Sequence, residues 1–146
     1  MLVHGHFDKV FSCDCKITEP LVSGSRLTVP VKDIGVIDGH PLFEKRPHRS
    51  IRYFRFSNLI FDGVTSSVRR ISESIGDPSE RRFRHFNRHD GPFPPMTGST
   101  ENFSFEGAME LPAGGFDWTI IAVSFSLEIL DERPPEWLKA FWWEAQ

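Results

Sequence analysis

Two closely spaced pairs of metal-ligating residue types lie near the start of the chain, His4-x-His6 and Cys13-x-Cys15. On an extended strand, residues i and i+2 face the same side, so each pair can converge on one ion. Segments 2–8 and 9–17 both read as extended, and Asp8-Lys9 can turn one into the other as a hairpin. Two imidazoles and two thiolates are a proper tetrahedral set for zinc. The spacing is not that of a zinc finger or knuckle, and a simpler arrangement competes with it. In that arrangement the histidines are exposed at a loose terminus and the cysteines face a core. No cofactor is therefore expected, with zinc on His4, His6, Cys13 and Cys15 as the second choice.

Catalytic signatures are missing. The chain has no G-x-S-x-G, P-loop, G-x-G-x-x-G or H-E-x-x-H. Two cysteines and six histidines offer a Cys–His pair in principle, but no spacing singles one out. The carboxylates Asp62, Glu106 and Asp117 fall near strand ends, where sites form and where plain turn residues also sit. Binding is favoured over catalysis on these residues. A metal- or ligand-binding β domain and a small enzyme without a recognisable motif stand as alternatives.

Charge narrows the choice of partner. Residues 1–98 hold 15 Lys/Arg against 11 Asp/Glu, whereas residues 99–146 hold 2 against 9. The basic run Arg81–His89 interleaves Arg81, Arg82, Arg84, His85, Arg88 and His89 with Phe83 and Phe86, a pattern suited to phosphate contacts and base stacking. Lys45, Arg46, Arg49, Arg52 and Arg55 can extend it. A pI near 6.1 argues against nucleic acid, whose binding domains are usually strongly basic. The acidic segments Glu101–Asp117 and Glu128–Glu136 suit a basic protein partner instead, because carboxylate clusters steer such encounters. Glu128 and Glu132 are the candidate contacts on this face. Trp143, lying opposite the apolar stripe of a terminal helix, is the candidate hot spot.

Positioning these residues is the work of a β-rich chain. Its 146 residues suit one domain spanning 1–146, and 14 Phe with 4 Trp can fill its core. Eleven Pro and eleven Gly imply many turns. Met1–Val10 carries His4, His6 and Asp8 where a leader would need an apolar run, and no run approaches membrane-spanning length. A cytoplasmic location with reduced thiols is expected. Asp117–Asp131 reads as a single central strand, with Ile121, Val123, Phe125, Leu127 and Ile129 at every second position. Alternation also marks Arg26–Val31, Ile51–Phe61 and Asn102–Gly107, with a register shift allowed at Ser57-Asn58. Val64–Ile75 is ambiguous. Val64, Val68, Ile71 and Ile75 keep helical spacing, while four serines and a threonine argue against a helix interior. Pro134–Gln146 reads as a helix with Trp137, Leu138, Phe141 and Trp142 on one stripe. About eight strands and one helix point to a mainly-β fold, an antiparallel β-sandwich or rolled sheet with a C-terminal α-helix.

Three short stretches, LIFDGV at Leu59–Val64, FSFEG at Phe103–Gly107 and WTIIA at Trp118–Ala122, resemble small cytoplasmic β-rich immunity proteins of bacterial polymorphic-toxin systems. The similarity of order and spacing runs over about residues 27–130. It implies a β-sandwich, a strand at Val64–Ile75 and a non-catalytic role in neutralising a cognate toxin. It carries over no functional residue, and the Pro-led C-terminal helix has no counterpart in it.

Overall fold

The protein's structure, a computed structural model, describes residues 1–77, 79, 82–110 and 113–141. Among these residues eleven strands form: β1 (Leu2–His4), β2 (Val10–Phe11), β3 (Lys16–Ile17), β4 (Leu21–Ser23), β5 (Arg26–Ile37), β6 (Ile51–Asp62), β7 (Ser66–Ile75), β8 (Arg82–His89), β9 (Glu101–Glu110), β10 (Ala113–Ala122) and β11 (Ser124–Asp131). A short helix α1 (Glu136–Phe141) follows them. The mainly-β fold with a helix near the C-terminus is what the alternation predicts. Strand order is β1-β11-β6-β5-β3-β9-β10-β7-β8, with β2 and β4 also on β5, and the sheet does not close into a barrel. Pairing is antiparallel except at β3–β9, where two residues of β3 run parallel to Ala108 and Met109.

The stretch 117–131 is two strands rather than one. β10 pairs with β7 and β9, β11 pairs with β6 and β1, and the chain bends between them at Val123. The buried set changes parity across that bend. Phe116, Trp118, Ile120 and Ala122 face inward before it, and Phe125, Leu127 and Ile129 after it. β6 passes into β7 at the same corner, and the Val123 amide donates to Asp62 O at 2.9 Å. Gly63 makes the corner passable. It adopts φ 66°, and a Cβ there would lie 2.5 Å from Val123 Cγ2. One corner thus carries both strands from one half of the sheet to the other.

β7 resolves the ambiguity of Val64–Ile75 in favour of a strand. Its inward residues are Ser67, Arg69 and Ile71, two of them polar. Arg69 donates to Asp90 Oδ1 at 2.9 Å and lies 4.6 Å over the Trp118 ring. Ser67 donates to Asp90 Oδ2 and accepts from Trp118 Nε1, each at 2.8 Å. Asp90 and Trp118 thereby satisfy most of what β7 buries, as an interior requires of polar groups.

Five phenylalanines from four elements fill the adjoining part of the core, where Phe105 stacks on Trp118 at 5.5 Å. Phe7 lies edge-on to Phe103 at 5.1 Å and to Phe125 at 4.9 Å, with Phe61 and Phe105 beside them. Phe7 starts a single 3-10 turn, Phe7–Lys9, entered through left-handed His6. The helix α1 docks through Leu138, 3% exposed, and Trp137. Trp137 Nε1 donates to Asp33 at 3.1 Å, and its ring meets Tyr53 edge-on at 5.0 Å. Asp33 reaches the helix because it stands out of the β5–β6 ladder at φ 62°, a conformation aspartate tolerates. No helix among the described residues is long and apolar enough to cross a membrane.

Candidate functional site

β9 and β10 form an antiparallel hairpin with Phe105 opposite Trp118 and Glu106 opposite Asp117. Alternation sends Phe103, Phe116 and Trp118 inward and leaves Ser104, Glu106, Asp117 and Thr119 exposed. Two carboxylates directly opposed across a ladder repel, a pairing that costs stability. Arg70 stands across from Asp117 on the β7 side, and the Cys13 thiol donates to Glu106 at 3.7 Å. Partial desolvation and the Glu106 carboxylate push the Cys13 thiol up from its ordinary pKa.

This hairpin has one open edge. β3 covers β9 only at Ala108 and Met109, and the Ala108 amide donates to Cys15 O at 3.0 Å. In an antiparallel strand every second residue directs both backbone groups to the same side. Asn102, Ser104 and Glu106 therefore aim their N–H and C=O the same way as Ala108, and no backbone partner meets them among the described residues. What faces them is the segment His4–Ser12, whose 3-10 turn bonds within itself (Lys9 N to His6 O, 2.9 Å). Two clefts lie along this edge. One of about 410 Å³ is lined by Phe7, Phe105, Glu106, Asp117 and Trp118 among others. A neighbour of about 530 Å³ takes in His6, Phe7, Asp8, Glu101 and Phe103. Phe7 belongs to both.

The proposed metal ligands are not brought together. Ser12–Cys15 is a turn, closed by Cys15 N to Ser12 O at 2.9 Å, rather than the strand expected from alternation. The turn splits the cysteines: Cys13 is exposed, and Cys15 lies fully in the core. Burial pushes the Cys15 thiol up to about 12. His4 Nδ1 bonds Ser126 Oγ at 2.7 Å on β1, and His6 sits edge-on to His40 at 5.7 Å. No three His, Cys, Asp or Glu side chains among the described residues form a metal-holding group.

The acidic contacts also separate. Glu128 on β11 is half-buried and accepts from Asn58 Nδ2 at 2.8 Å. Glu132, exposed beyond the strand, shares a cleft of about 220 Å³ with Arg46, Arg49 and Arg52. Trp143 and Trp142 lie outside the described residues, as does Arg81. Of the strand-end carboxylates, Asp62 is engaged by Arg26 at 2.7 Å, while Glu106 and Asp117 become neighbours. The basic run is the edge strand β8, with Phe83 54% exposed and Arg84 paired to Glu73. Arg52 and Arg55 lie on β6, which does not pair with β8, so the two basic sets are not neighbours in the sheet. The open edge of β9 has no counterpart in the sequence reading, because nothing in a strand's own residues says which neighbour it lacks.

No protein-family model, curated protein or solved structure was found to match this chain.

Proposed function

We propose that this is a non-catalytic cytoplasmic binding protein whose ligand is another protein, acting in the manner of an immunity protein that occludes a cognate bacterial toxin. The observation that carries the reading is the Glu106–Asp117 pair at the mouth of an aromatic-floored cleft. Two like charges held opposite one another are relieved by a cationic group from outside, and such complementarity speeds and orients association. Phe7 and Phe105, both half-buried in the cleft wall, offer the apolar ground on which interface anchors bind. Native mass spectrometry of the protein drawn gently from its own cells tests this. A second polypeptide at fixed stoichiometry, lost when Glu106 and Asp117 are both changed to Lys, supports the reading. The chain alone, or a complex indifferent to both reversals, counts against it.

A small ligand is the second reading, because about 410 Å³ falls in the range of small-molecule pockets. The same spectra separate the two by the added mass.

A further inference from the structure

We propose that the edge of β9 from Asn102 to Glu106 receives an extended segment of the partner protein as an added strand, with Lys or Arg side chains set against Glu106 and Asp117. This rests on the reading that the cleft takes a protein. Asn102, Ser104 and Glu106 present three N–H and three C=O groups with no backbone partner among the described residues. An incoming strand satisfies such groups in register, by about six backbone bonds over roughly 17 Å.

The other edges fit this role less well. β1 is only three residues long. β8 carries Arg82, Arg84 and Arg88, and cationic side chains on an edge discourage strand addition. β9 has no Lys or Arg between Glu101 and Glu110, so no such guard stands on it. The same composition argues against a second copy of this chain as the occupant. Two β9 strands laid side by side bring glutamates together, at a cost, whereas a basic segment gains from all of them. The clefts already hold space along the edge, and the self-bonded 3-10 turn opposite it does not compete for the ladder.

The test uses the full chain and three synthetic peptides: acetyl-Lys-Val-Lys-Val-Lys-Val-Lys-amide, its Glu-for-Lys counterpart, and the Lys peptide with its central Val replaced by Pro. Hydrogen exchange followed by NMR reads each amide. The expected result is at least tenfold slower exchange at Asn102, Ser104 and Glu106 with the Lys-Val peptide. The acidic and proline-interrupted peptides should bind at least tenfold more weakly. Ser104→Pro removes one outward N–H at a position where an edge strand accommodates proline, and should weaken the Lys-Val peptide at least tenfold. Should that variant not fold, the exchange result on the unaltered chain decides alone. Equal binding of the interrupted peptide, or no slowing at the three amides, overturns strand addition. A natural partner complex that forms while those amides exchange freely overturns strand addition and leaves the protein-binding reading standing. Absence of any partner overturns both.

Discussion

Arg69 and Asp90 meet at 2.9 Å with only 2% and 8% of their side chains exposed, and Trp118 lies beneath the guanidinium at 4.6 Å. A salt bridge this far from water is held by its neighbours rather than by its own attraction. Ser67 takes up the second carboxylate oxygen, and the Asp90 amide donates to Ser67 O. Asp90→Asn leaves a buried cation facing a neutral amide. Chemical denaturation should show a loss of about 3–5 kcal/mol. Arg69→Met combined with Asp90→Leu removes both charges at once, and should recover most of that loss.

Stability should fall at both ends of the pH scale. Burial and the nearby His6 hold the His40 imidazole below its ordinary 6.5. The unfolded chain therefore binds that proton first, so stability is present above pH 6.5 and is lost as the pH drops below it. At the other end, Cys15 rises from 9.0 to about 12, chiefly by burial. The unfolded thiol ionises first, so stability present below pH 9.0 drains away as the pH climbs towards 12. The Cys15 shift is worth about 4 kcal/mol, and the Tyr53 phenol, pushed up by burial and its bond to Asp14, adds to the same limb. Denaturation midpoints measured across the range should show both limbs, and Cys15→Ala should make the alkaline one shallower, leaving the part due to Tyr53.

The shared corner is sensitive to a single methyl group. Gly63→Ala combines a left-handed backbone with a Cβ 2.5 Å from Val123 Cγ2. Backbone strain and overpacking together should cost roughly 2–4 kcal/mol. Adding Val123→Ala removes Cγ2 but leaves the Val123 Cβ 2.8 Å away, so it relieves part of the collision and none of the strain. The double variant should therefore regain part of the loss in thermal unfolding, and never all of it.

Helix α1 is held by Leu138, by the Arg55–Glu136 pair at 2.8 Å and by the Trp137 indole. Trp137→Phe keeps an edge-on ring against Tyr53 but takes the donor from Asp33, and should cost about 1–2 kcal/mol. Trp137→Ala loses the ring as well and should cost more. Hydrogen exchange of the α1 amides, read beside global stability, distinguishes undocking of the helix from unfolding of the sheet.

Charge reversal at the cleft should act on association. Glu106→Lys and Asp117→Lys, made singly, should each slow capture of a basic partner several-fold at low salt, with the difference shrinking as salt is added. Because the two acids repel across the ladder, Glu106→Gln should leave the free protein unharmed or slightly stabilised in thermal melts, whereas Asp117→Asn also gives up its cross-strand partner Arg70 and should gain less.

The β architecture was legible because alternation survives in most strands; the register shift expected at Ser57-Asn58 falls one step earlier, between Phe56 and Ser57, where β11 carries the extra residue Leu130. Where alternation misled, burial had broken its usual link to polarity. β7 turns Ser67 and Arg69 inward to meet Asp90 and Trp118, so its apolar residues no longer trace the buried face and happen to keep a helical period. The bend at Val123 is invisible because Ile121 and Val123 extend the alternation of Phe125, Leu127 and Ile129 back across it. The cysteine pair failed as a site because a turn at Ser12–Cys15 interrupts what looked like one strand. Glu106 and Asp117 were recognisable as strand-end carboxylates. Their meeting depends on hairpin register, which the ten intervening positions do not spell out.

β1 pairs with β11, setting Leu2 against Glu128. During synthesis β1 must wait, unpartnered, until β11 has left the ribosome. The aromatic cluster around Phe7 needs Phe103 and Phe125 as well, so it too completes late. Assembly of this sheet is therefore slow by virtue of its distant pairings, and its early strands stay exposed to proteases and chaperones until β11 arrives.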